Sequence, residues 1–207
     1  MIRDKVLGWH FLTKDRKLGY GDGRIVRPGE TYSVNYPERS FRKPSSCESG
    51  MHASIRIMDA LVYAPGSIIC RVELMNPEYD SDKMVSRSRK VLWMLDAEKL
   101  LHHFACDCAE KALNDVPTEP DPRSVEAIRV KRLWIDGSAT NDELDAARSA
   151  SWSAAGSAAG SAARSAARSA AGSASWSAAG SAARSAAESE QNIRLVKMVV
   201  KQYKGGI

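Results

Sequence analysis

The apolar positions of this chain fall first in short, strand-like clusters and later in helical spacing. Residues 5–13 carry Val6, Leu7, Trp9, Phe11 and Leu12 and predict a strand. Gly19–Gly23 marks a turn. Thr31–Asn35 reads as a short strand, and Pro37–Gly50 as a polar loop. Ser54 stands where an N-cap would, ahead of Ile55, Met58, Leu61 and Val62 on one helical face. Pro65-Gly66 stops that helix. Ser67–Leu74 is apolar and β-branched, the pattern of a buried strand. Val85–Leu95 predicts another, with Ser86–Lys90 exposed and Val91–Leu95 buried.

Helical spacing then takes over. Asp96 caps a helix whose apolar side is Leu100, Leu101, Phe104, Cys108 and Leu113. Pro117–Pro122 reads as a linker, and Ser124 as the cap of a helix through Ile135. Asp136-Gly137 breaks it. Thr140 followed by Glu143 is a capping box that opens the next helix. Near the end, Ile193, Val196, Val200 and Tyr203 form the apolar face of a closing helix. Strands before helices predict an α+β fold: a small mixed N-terminal domain over 1–95, a helical connector over 96–139 and an all-α region over 140–207.

Composition separates that last region from the rest. Residues 146–188 hold 20 alanines and 12 serines, and serine recurs every four residues from Ser149 to Ser189. Alanine favours helix, and the glycines mark its weak points. A four-residue step turns about 400°, so each column of the repeat winds slowly around the rod. Small side chains at this spacing allow close helix packing. We expect self-association, with Trp152, Gly156, Gly160, Gly172, Trp176 and Gly180 at the contact.

The net charge of +5 divides at the same place: +6 lies on residues 146–207 and −1 on the preceding 145. The arginines of the repeat are sparse and wind around it, whereas nucleic-acid binding favours a dense basic face. Direct binding of nucleic acid is therefore disfavoured. No apolar run reaches the length of a membrane span, and the N-terminus lacks an apolar signal core. Four cysteines do not make a disulfide scaffold, so a reducing bacterial cytoplasm is expected.

Several linked motifs, GWHFL, YGDGR, CESGMHAS, MDALVYAPG, ICRVEL and the later Asp82-Lys83, resemble an uncharacterised domain family of phages and prophages over roughly residues 7–105. FACDCAEKAL, DPRSVEAI, DELDAARSA and the repeat resemble Ala-rich helical segments of phage and bacterial proteins, some of them classed as immunity proteins. Serine replaces much of the usual alanine here. The resemblance implies a phage or prophage context and no particular chemistry.

Three constellations carry candidate chemistry. His52 and Ser54 at a helix start, with Arg39, Arg42 and Lys43 in the preceding loop, suit a small anionic ligand. His10, Tyr63 and Glu73 follow the order of residue types in ADP-ribosyltransferases, which would make the chain an NAD-using enzyme. Against this stands ordinary core packing, and only under that alternative are the three catalytic. His102, His103, Cys106 and Cys108 are spaced for a metal only with a second pair, such as Cys47 and His52. Buried small side chains explain them better. The leading expectation is a phage accessory protein, more a binder than an enzyme, with a role against host defences in keeping with that context. It has neither metal nor cofactor, and its partners are a second copy and a small anion or host protein.

Overall fold

In the computed structural model, residues 4–19, 22–34, 50–115, 119–151 and 176–205 are described. The fold is α+β, and the chain forms two compact units. One comprises residues 1–98 with 188–207, the other residues 99–187. Among the described residues, no helix is long and apolar enough to cross a membrane.

The first unit contains β1 (Lys5–Leu12), β2 (Thr31–Ser33), β3 (Met51–Ala53), α1 (Ile57–Val62), β4 (Ile68–Met75), β5 (Glu78–Asp80), β6 (Lys83–Ser86) and β7 (Ser88–Asp96). Two antiparallel sheets result, in the orders β1-β4-β7-β2 and β3-β6-β5. Register in the larger sheet places His10 opposite Cys70 and Trp9 opposite Arg71. Leu92 is an extra residue where the pairing of β4 with β7 shifts. One hydrophobic cluster joins Leu12, Cys70, Val72, Leu74 and Val91 of the larger sheet to Met51, Ala53 and Met84 of the smaller. A bridge between Trp9 and Ser54 ties the edges of the two sheets together, their backbones exchanging bonds of 2.7 and 3.0 Å. The approach of the sheets is close at Gly8. A Cβ there would stand 2.8 Å from the Cβ of Ala53 and 3.0 Å from Met84 Cε.

The other face of the larger sheet carries an aromatic and cationic row. The Arg71 guanidinium lies 4.5 Å from the ring centre of Trp9, and Trp9 meets Trp93 edge-on at 5.8 Å. Tyr203, from the C-terminal helix, stacks on Trp93 at 4.3 Å. Leu195, Val199 and Tyr203 follow one another at four-residue steps, so they share a stripe, and the first two are fully buried. Asn192 precedes that stripe and accepts a bond from the backbone N–H of Met58, at the start of α1.

The second unit is helical. It holds α2 (Glu98–Asn114) from Lys99 onward, α3 (Pro122–Ile135) and α4, helical over residues 141–151. Helix α5 (Trp176–Gly205) begins in this unit's part of the chain and ends in the first unit. Arg132 of α3 bonds Asp107 and Glu110 of α2 at 2.8 and 2.9 Å. The capping box forms as expected: Glu143 N–H donates to Thr140 Oγ1, and the Glu143 carboxylate accepts from Thr140 N–H. Asp96 accepts from Glu98 N–H and so caps α2 as expected.

Local expectations fail where packing overrides spacing. Ser54 caps no helix; it pairs with Trp9, and His52 lies inside β3. Helix α1 starts later and buries Ile57 and Ala60, leaving Ile55 and Val62 exposed. The span 85–95 belongs to two strands, β6 and β7, and its basic stretch is partly internal, with Ser86 and Arg89 buried. Asp121 caps α3 in place of Ser124, because Pro122 already supplies the first helical turn. The closing helix buries Leu195 and Val199, while Ile193 is exposed. The loop expected over Pro37–Gly50, with Arg39, Arg42 and Lys43, lies outside the described residues except for Gly50. So do Trp152, Gly156, Gly160 and Gly172, and of Trp176 and Gly180 only the helical backbone is described.

Two substitutions test this packing by urea unfolding. Gly8→Ala should cost about 1–3 kcal/mol, because the added methyl meets another Cβ that cannot swing away. Leu195→Ala should cost about 2–5 kcal/mol, the range for emptying a fully buried leucine site.

Candidate functional site

The first unit encloses a pocket of about 520 Å³. Its polar lining is His10 from β1, His52 from β3, Ser54, Asp15, Lys17, Tyr63 and Lys83; Leu12, Leu18, Ala60 and Pro65 are among the apolar residues. The pocket forms where the chain leaves β1 and where α1 follows the Trp9–Ser54 bridge.

The strongest electrostatic feature sits behind this lining. Arg89, on β7, is 3% exposed. Its side chain shares a sheet face with Val91, two residues on, and therefore enters the core. Its Nη1 donates to the backbone oxygen of His52 at 2.6 Å. Its Nε meets no acceptor among the described residues, and none of their carboxylates forms an ion pair with it. Burial pushes its pKa down to about 10, with Cys70 opposing the shift, so it stays cationic at neutral pH. A buried charge without a counter-ion costs stability.

His10 feels that charge. Burial first, then Arg89, then His52 hold its imidazole well below the ordinary range. Cys70 is buried opposite His10, and burial pushes its thiol up to about 12, which leaves it no thiolate for chemistry. Tyr63 is half exposed; its hydroxyl donates to Asp82 at 2.8 Å, and Lys83 Nζ stands 4.9 Å from its ring centre. Asp15 is engaged locally: it accepts from Thr13 Oγ1 and Lys17 N–H, which hold its carboxyl below the usual range.

The structure thus brings His10, His52, Ser54 and Tyr63 into one pocket. Glu73 is apart from them. It pairs in register with Leu7, so it lies on the opposite face of β4 from Cys70 and His10, and it bonds Lys5 at 3.1 Å. The helix-start geometry expected for His52 is absent, since a strand holds it. Arg89, Lys17 and Lys83 were not anticipated. The signal for Arg89 was its even spacing from Val91, which puts both on one face of a strand.

The His/Cys cluster is dispersed among structural partners. His102 meets Trp134 edge-on at 5.5 Å, and His103 Nε2 lies 3.8 Å from Asp136. Cys106 is buried, and burial raises its thiol pKa. Cys47 lies outside the described residues, among which no three His, Cys, Asp or Glu converge to hold a metal. The second unit has its own groove of about 480 Å³, lined by residues of α2 and α3, several of them alanines, with Leu144, Arg148 and Ser151 of α4.

No family model, no curated protein and no solved structure matches this chain.

The depressed imidazole of His10 makes stability depend on pH. Below about pH 6.5 the unfolded chain binds a proton at His10 that the folded chain does not. Stability should therefore fall as pH drops from 6.5 toward 5. Urea unfolding across this range should show the fall, and His10→Gln should flatten it.

Proposed function

We propose that the chain is a non-catalytic accessory protein of a phage or prophage whose N-terminal unit binds a small anionic molecule in the His10–His52 pocket. The observation that carries this reading is Arg89, a buried cation behind the lining that no described carboxylate balances. A fixed charge in a low-dielectric interior is costly to keep, and an anion in the adjoining pocket offsets that cost. The cavity has the size of a small-molecule site. That favours a small ligand over a host protein as its occupant. The phage context, and a role against host defences within it, rest on the sequence motifs that resemble the phage domain family. Self-association through the Ala/Ser segment belongs to the same reading and rests on its small side chains.

The transferase alternative loses its acid, because Glu73 faces away from His10. Nucleic-acid binding gains nothing from the pocket, which is concave and mostly apolar.

Arg89→Met tests the reading. If the arginine serves a ligand, its removal should change stability by no more than about 1 kcal/mol, or raise it, since a buried charge is exchanged for an apolar side chain. The rise in Tm produced by small anions in the wild type should disappear. A loss of about 3–5 kcal/mol would make Arg89 a structural residue and sink the proposal.

A further inference from the structure

The groups around the pocket restrict the kind of anion it would hold. Arg89 supplies one fixed positive charge, anchored by the His52 carbonyl at 2.6 Å. His10 can supply a second. It faces Arg89 from β7, His52 from β3 and Cys70 from β4. The other charged or titratable lining groups are Asp15, Lys17, Tyr63 and Lys83. Asp15 accepts from Thr13 and pairs with the Lys17 ammonium at 3.6 Å, and Tyr63 donates to Asp82 with Lys83 over its ring and beside that carboxylate, so the two lysines, the acid and the phenol are occupied locally. Leu12, Leu18, Ala60 and Pro65 give the same cavity apolar walls.

We propose that the occupant is a phosphate monoester with an apolar body, and that His10 takes up a proton from solvent as the phosphate enters. This rests on the reading of the pocket as an anion site. A carboxylate or sulfonate carries one charge, which Arg89 alone would match. A phosphate dianion needs two cations, and the second is the His10 imidazolium. Burial and the Arg89 charge favour neutral His10. A dianion reverses the local potential and makes the proton favourable there. The second ionisation of a phosphate ester lies near 6, so charge and proton are exchanged close to neutral pH. The apolar walls would hold the organic body.

The probe is phenyl phosphate, titrated calorimetrically into the full chain at pH 7 in two buffers of different ionisation enthalpy. The expected result is a net uptake approaching about one proton per phosphate bound. His10→Gln should abolish the uptake and weaken binding about tenfold or more. In the wild-type chain, the imidazole nitrogen signals of His10 should move from the neutral to the protonated form on saturation, a readout that needs no variant. Binding without proton uptake, or equally tight binding of phenylsulfonate, would overturn the inference and leave an anion site standing. Failure of phenyl phosphate, phenylsulfonate and benzoate alike to bind would overturn the anion site as well.

Discussion

A single buried guanidinium sets the electrostatics of the first unit. Arg89 occupies a position on β7 that strand geometry points into the core, between two sheets whose shared cluster is otherwise apolar. Its bond at Nη1 goes to the backbone of β3, so it links the larger sheet to the smaller across that core. The same bond sets the charge directly behind His52 and within reach of His10. The contact that joins the sheets and the potential in the pocket are therefore one arrangement. An apolar residue would join the sheets at lower electrostatic cost, so packing alone does not account for the charge.

The opposite face of the larger sheet carries its own half-buried cation, Arg71, set among aromatic rings. Arg71 also enters an apolar setting, but it lies over Trp9 and beside Trp93, where aromatic faces partly replace water. Tyr203 completes the row from a helix more than a hundred residues away in sequence. The C-terminal helix thus covers the face that the smaller sheet leaves bare. The two arginines differ in their surroundings, and so in what they are suited to do. Each leaves one buried N–H without an acceptor among the described residues, Nη1 on Arg71 and Nε on Arg89, but Arg71 lies over an aromatic ring and Arg89 lies beside the pocket lining.

The legible parts of the fold were those set by local rules. β1, β4, the Asp96 cap and the Thr140–Glu143 capping box all follow from residues within a few positions of one another. The errors arose where a distant partner decided the outcome. Ser54 is a good cap in isolation, yet its backbone is claimed by Trp9, 45 residues earlier. The stretch Ser86–Lys90 is polar by composition, yet alternation puts Arg89 inside. The closing helix was recognisable as amphipathic, but its face was set by what it docks against, which favours Leu195 over Ile193. At the site, His10, His52 and Tyr63 were each legible as candidates. Their convergence was not, because it depends on the bridge between two sheets.

Charge shows why composition is a weak guide to this site. The excess of +6 lies in the last third of the chain, and Lys197, Lys201 and Lys204 of α5 are exposed, where water screens them. The preceding 145 residues are nearly neutral, which would ordinarily argue against an anion site there. A net charge adds side chains without regard to their surroundings, whereas the field in a pocket depends on the dielectric around each one. One arginine held out of water beside a cavity therefore outweighs a row of solvated lysines. In this chain the buried cation lies in the nearly neutral part, and the excess of basic residues lies elsewhere.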